Sequence, residues 1–172
     1  FGGSSVLVGE FGLGSWIFSG GNDPLRRGLE LGAFLIDTAE MYLTEDAVGR
    51  AVKDIRDQVF IATKVLGSNL RRDQVLRSAE TSLRLLDTPH IDIYKIHWPN
   101  SVVPIKETMQ AMEELVDSKM VKYIGVSNFS VRQLTEARSA MTKYPIVSNQ
   151  VLYNLKRRDI ETALIPYCQQ TN

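Results

Sequence analysis

A parallel α/β barrel is the fold class that this sequence predicts, and three observations predict it. Apolar, β-branched runs alternate with amphipathic helical periods along the whole chain, giving six strands and six helices with no shift in composition. A polar residue sits at or just past the carboxyl end of successive strands: Asp37, Lys64, His97, Ser127-Asn128 and Asn149-Gln150. A barrel gathers those ends at one mouth, whereas an open doubly wound sheet spreads them along a line. The chain also lacks the G-x-G-x-x-G turn that the doubly wound dinucleotide fold carries after its first strand.

In chain order, the glycine-rich start reads as a short strand or hairpin around Val6-Leu7-Val8 leading into a first strand at Leu13–Trp16. Asp23-Pro24 opens a helix to about Leu31, with Asp23 as N-cap, Pro24 at the first helical position and Gly32 as its left-handed cap. Phe34–Ile36 is a strand, and Asp37–Tyr42 is the loop after it. Thr44 caps a helix whose apolar face is Ala47, Val48, Ala51, Val52 and Ile55. Strand Val59–Thr63 ends in Lys64, and a long helix with Val75, Leu76, Ala79, Leu83 and Leu86 on one face follows. Strand Ile91–Ile96 runs into His97-Trp98-Pro99, before a helix from Pro104 to Asp117. Strand Val121–Val126 precedes a capping box, Ser130 with Gln133, and a helix with Val131, Leu134, Ala137 and Met141 inward. Pro145–Ser148 is the sixth strand, and Arg157–Gln170 closes the chain as a helix with Pro166 as an irregularity.

A complete barrel has eight strands and typically about 250 residues. The sequence therefore predicts a single domain over residues 1–172, a (β/α) TIM-type barrel truncated after its sixth unit. Because the chain starts at Phe1 and stops at Asn172, it reads as a fragment at both ends. Two open sheet edges imply self-association.

Composition excludes several function classes. Twenty basic against 20 acidic side chains leave no excess for a nucleic-acid or anionic-membrane surface. No apolar run approaches the roughly 20 residues that a membrane-spanning helix needs. One cysteine, Cys168, offers no disulfide framework and points to a reducing, cytoplasmic setting.

Asp37, Tyr42, Lys64 and His97, converging at a barrel mouth, support acid catalysis. A phenol titrates near pH 10, and a neighbouring ammonium is expected to lower that value. A carboxylate holds the lysine charged and in place, and a histidine adds a second hydrogen bond to the reacting oxygen. Hydride addition to a carbonyl uses such a group without a nucleophile or metal, and it requires a reduced nicotinamide.

The motifs Gly12-Leu13-Gly14-Ser15-Trp16, Asp37-Thr38-Ala39-Glu40-Met41-Tyr42, Ala62-Thr63-Lys64, Ile96-His97-Trp98-Pro99, Gly125-Val126-Ser127-Asn128-Phe129 and Asn149-Gln150 resemble those of the aldo-keto reductases, in that family's order. The resemblance implies an NADP(H)-dependent oxidoreductase that acts on a small-molecule aldehyde or ketone. Under it Tyr42 is the proton donor, Lys64 and Asp37 its tuning pair, and His97 orients the carbonyl. Ser15, Asp37, Ser127, Asn128 and Gln150 fall at cofactor-binding positions, the last three facing the nicotinamide carboxamide. Trp16 and Trp98, with Tyr42 and His97, line the substrate pocket.

The chain departs from the family at two points. The last two strand–loop units, which supply an aromatic for nicotinamide stacking and the phosphate-binding loops, are not present. Lys95 stands where the family usually has an apolar residue or glutamine, two before His97 and hence on the same strand face. If that face is the interior, its charge must be paired or strongly perturbed. Two other readings stand beside the reductase. One is a Schiff-base lyase using Lys64; the other is a non-catalytic or truncated relative that binds the cofactor weakly.

Overall fold

The computed structural model describes residues 2, 4 and 6–171. Six strands form one sheet: β1 (Gly12–Gly14), β2 (Leu35–Asp37), β3 (Phe60–Val65), β4 (Ile91–Ile96), β5 (Val121–Ser127) and β6 (Ile146–Gln150). Every neighbouring pair is parallel, and the spatial order is the sequence order. A doubly wound sheet reverses its order at a switch point; this one never does. The result is a curled half-barrel with β1 and β6 as its edges. Among the described residues, no helix is long and apolar enough to cross a membrane.

Among the described residues, five helices connect the strands, α1 (Asp23–Glu30), α2 (Glu45–Val52), α3 (Arg72–Leu86), α4 (Ile105–Asp117) and α5 (Val131–Ala140), and α6 (Leu164–Thr171) follows β6. Their apolar faces, including Leu25, Val48, Val75, Ala79, Met109, Met112 and Leu134, are buried against the outer face of the sheet with Ile36, Ile61, Val65, Ile96 and Val126. Each fully buried aliphatic side chain of this kind contributes about 1.5–3 kcal/mol. The inner face is different. A small apolar cluster of Ala62, Ile93 and Val147 fills its lower part, and charged and polar side chains fill the upper part.

Local differences from the sequence reading have identifiable causes. Val6–Gly9 has no regular structure, and the rest of the N-terminal hairpin reading lies partly outside the described residues. β1 stops at Gly14, so Ser15 and Trp16 belong to the turn that follows, where Ile17 has a φ of 56°. Asn22 rather than Asp23 precedes α1, although Gly32 takes the left-handed φ of 91° as expected. Thr44 occupies the N-cap position of α2 without capping it; its hydroxyl lies against Ser15 Oγ, to which it donates at 2.8 Å, and Thr38 Oγ1 at 3.2 Å.

α2 ends at Val52 and continues as a 3-10 segment, with Ile55 outside helical geometry. Arg56 explains the break. Its guanidinium reaches down to the Val59 carbonyl, Thr88 Oγ1, the His90 carbonyl and Asp92, at 2.7–2.8 Å, and clamps the segment under the sheet. The Ser130–Gln133 capping box forms as expected, with Gln133 Oε1 accepting from the Ser130 N–H at 3.0 Å. The final helix begins only at Leu164, because Asn154 Oδ1 accepts the N–H groups of Lys156 and Arg157 and holds that stretch as a turn.

Candidate active site

The site is assembled at the carboxyl ends of the strands. Asp37 is the last residue of β2 and Lys64 the last but one of β3; Ser127 ends β5 and Gln150 ends β6. His97 directly follows β4, and its N–H is tied to the Val65 carbonyl at 3.0 Å. Tyr42 lies on a 3-10 turn, Glu40–Tyr42, closed by Leu43 at a φ of 56°. Glu40 fixes that turn against β3: its carboxylate accepts the Leu66 N–H and the Asn69 amide at 2.8 Å each, and the Ser78 hydroxyl at 3.2 Å. Glu40 lies outside the predicted site residues, and its place two residues before Tyr42 is the sequence signal for this supporting part.

Lys64 is the hub. Its side chain is 1% exposed, and its Nζ donates to Asp37 Oδ1 at 2.5 Å, to the Thr38 carbonyl at 2.8 Å and to Tyr42 Oη at 3.4 Å. Those acceptors account for its three protons. The Tyr42 hydroxyl therefore lies between Lys64 Nζ and His97 Nε2, the latter at 3.5 Å, with the two rings edge-on. His97 Nδ1 is buried and has no hydrogen-bond partner among the described residues.

The charges act on one another in definite directions. Burial pushes the Asp37 carboxyl up, but the Lys95 and Lys64 ammoniums outweigh it and hold it below the ordinary 3.8. Burial lowers Lys64, against the opposing pull of Asp37. Burial, then Lys64, depresses His97 below 6.5, so its imidazole is neutral at neutral pH. Tyr42 is raised above 10.0, by burial and then by the Asp37 carboxylate. That is opposite to the lowering expected from an adjacent lysine, because the carboxylate that neutralises Lys64 also acts on the phenol. At rest the phenol keeps its proton, as an acid must.

Eight of the ten predicted site residues line one cleft of about 340 Å³: Trp16, Tyr42, Lys64, His97, Trp98, Ser127, Asn128 and Gln150. Met41, Val151 and Leu152, which the sequence reading did not assign, line it too. Asp37 lies behind Lys64, and Ser15 is fully buried with its hydroxyl engaged by Thr44. The indole rings of Trp16 and Trp98 are largely exposed at the mouth, and Trp98 stacks on His97 with 6.4 Å between centroids.

The amide groups have a fixed polarity. Lys95 Nζ donates to Gln150 Oε1 at 3.0 Å, and since an ammonium can only donate, the oxygen end of Gln150 must face it. Asn128 Nδ2 donates to the His97 carbonyl at 2.9 Å and to Ser127 Oγ at 3.0 Å, while Ser127 Oγ donates to the Gln150 carbonyl at 2.8 Å. Asn128 reaches both acceptors from a left-handed backbone, φ 63°, which asparagine tolerates. An acceptor, Asn128 Oδ1, and a donor, Gln150 Nε2, are left without hydrogen bonds among the described residues. That pair is complementary to a primary amide. The residues present thus fit the carboxamide of a nicotinamide.

Comparison with known proteins places the chain in a family. Residues 11–172 match the Aldo/keto reductase family. The chain is 36% identical to Aldo-keto reductase YhdN of Bacillus subtilis, over 96% of this chain and 56% of that protein. It is 40% identical to Methylglyoxal reductase YeaE of Escherichia coli, over 85% of this chain and 52% of that protein. Among solved structures, the thermostable aldo-keto reductase Tm1743, in complex with the inhibitor epalrestat, superposes with a TM-score of 0.94 at 41% identity, covering 99% of this chain and 68% of that one. An aldo/keto reductase from Klebsiella pneumoniae in complex with NADP and acetate superposes with a TM-score of 0.84 at 36% identity, covering 95% and 61% of the two chains. The chain spans about half the length of the curated relatives it matches. With its strands, helices and cleft all falling inside the matched span, the chain belongs to the aldo/keto reductase family.

Proposed function

We propose that the protein reduces the carbonyl of a small aldehyde or ketone to an alcohol, with NADPH as the cofactor. One observation carries this reading: the Tyr42 hydroxyl lies between Lys64 Nζ at 3.4 Å and His97 Nε2 at 3.5 Å, on the wall of the cleft. NADP and NADPH are bound in two solved structures of aldo-keto reductase from Klebsiella pneumoniae, and a relative from Escherichia coli is named methylglyoxal reductase. Both suit this reading.

A reduced nicotinamide supplies hydride when bound. The chain supplies the proton. Tyr42 Oη donates to the carbonyl oxygen as negative charge develops there, and Lys64 stabilises the phenolate that remains. Asp37 keeps the Lys64 ammonium in place. Neutral His97 donates a hydrogen bond from Nε2 to the same oxygen without competing as an acid. Gln150 Nε2 and Asn128 Oδ1 would hold the carboxamide, with Ser127 fixing Asn128.

The Schiff-base reading is less well supported, because Lys64 needs a free amine lone pair and instead spends three protons on three acceptors. Incubating the protein with NADPH and methylglyoxal discriminates the two. The reductase consumes NADPH in proportion to alcohol formed. Borohydride trapping of the aldehyde on Lys64, with no NADPH consumed, would overturn it.

A further inference from the structure

Lys95 is buried in the same site, yet the proton-transfer chemistry proposed above gives it no task. Its side chain is 7% exposed. In the register of the sheet it lies beside Lys64 on one side and Gly125 on the other. Gly125 makes room for it: a Cβ there would fall 3.1 Å from Lys95 Cγ and 2.6 Å from Ser148 Oγ. The Nζ donates to Asp37 Oδ2 at 3.1 Å and to Gln150 Oε1 at 3.0 Å. It thereby joins the proton-donating group to the amide pair. The charge of the cluster also changes. Asp37 contributes −1, and Lys64 and Lys95 contribute +1 each, so the three together carry +1. A single lysine on Asp37 would leave zero.

We propose that Lys95 is a positioning residue that biases the site toward the reduced nicotinamide, an inference that rests on the reading of Asn128 and Gln150 as the carboxamide site. The oxidised ring carries a formal positive charge and the reduced ring carries none. A buried ammonium one hydrogen bond behind Gln150 therefore opposes only the oxidised form, and low exposure leaves that repulsion poorly screened. The same bond holds Gln150 with its amide N–H toward the cleft in both cases. Lys95 thus favours uptake of reduced cofactor and departure of the oxidised form.

The test compares NADPH and NADP+ binding to the protein and to two variants by isothermal titration. Lys95→Met keeps the aliphatic stem without the charge. Lys95→Gln keeps a hydrogen-bonding end for Gln150 and still removes the charge. Circular dichroism and a thermal melt establish that each is folded. The wild-type protein should bind NADPH more tightly than NADP+, and both variants should narrow that ratio by on the order of tenfold. An unchanged ratio with binding retained would overturn the inference while leaving the cofactor site standing. Binding restored in Lys95→Gln with the wild-type ratio would show a hydrogen-bonding role alone, and would overturn it too. Failure of the wild-type protein to bind either form would remove the cofactor reading and this inference with it.

Discussion

Lys64 and Lys95 are paired neighbours across β3 and β4, and both end on the carboxylate of Asp37, at 2.5 Å and 3.1 Å. Two like charges side by side in a buried face are tolerated only because one anion lies between them.

Asp37→Asn should accordingly be far more damaging than its place at a strand end suggests. It leaves two ammoniums, 1% and 7% exposed, without their counter-charge. A loss of about 3–5 kcal/mol is expected from urea unfolding. Lys95→Met in the same background should recover part of it, since the two sites share a partner. Additive effects would show that the shared carboxylate is not what couples them.

Stability should also fall on acidification in two stages. For His97 the folded-state value lies below 6.5, so the unfolded chain takes up the proton first and stability starts to fall as pH drops below 6.5. For Asp37 the folded-state value lies below 3.8, so its contribution is present above 3.8 and is lost as pH falls through the folded value. Unfolding midpoints measured down a pH series read both; His90, which burial, Arg56 and Lys122 also hold below 6.5, shares the upper stage, so His97→Gln should shrink that stage and leave the lower one unchanged.

How much of this was legible in the sequence depended on what each residue had to satisfy. Buried parallel strands are apolar on both faces, so all six could be located from runs such as Ile91–Ile96, with ends displaced by a residue or two at every strand but β4. The convergence of Asp37, Lys64 and His97 followed from strand ends alone. Periodicity could not show the break before Ile55, because apolar spacing continues across it and the cause, Arg56, acts on residues about 30 positions away. Thr44 has the chemistry of a cap, yet Ser15, 29 residues distant, takes its hydroxyl. The inward side of Lys95 could be read from its spacing to His97. Its partners could not, since they come from β2 and β6.

Gly125 has a packing role that alanine would expose. Its Cβ would press on Ser148 Oγ at 2.6 Å, on Ile93 at 3.0 Å and on Lys95 at 3.1 Å. Gly125→Ala should cost about 1–3 kcal/mol, measured by chemical denaturation. No loss would mean that the inner face has slack at that level.

Glu40 offers a way to disturb Tyr42 without touching it. Glu40→Ala leaves the Leu66 N–H without its acceptor and frees the turn that carries the phenol. Stability should drop by about 1–3 kcal/mol. In the reductase reading kcat should fall more than KM rises. A raised KM with kcat unchanged would point to lost binding instead.

Tyr42→Phe tests the central claim most directly. The Tyr42 hydroxyl makes only long contacts, at 3.4 Å and 3.5 Å, so its removal should barely alter the unfolding midpoint. NADPH consumption with an aldehyde should nevertheless fall by at least about 100-fold, the usual loss when a general acid is removed. A folded Tyr42→Phe protein that keeps nearly all of its reductase activity would contradict the account.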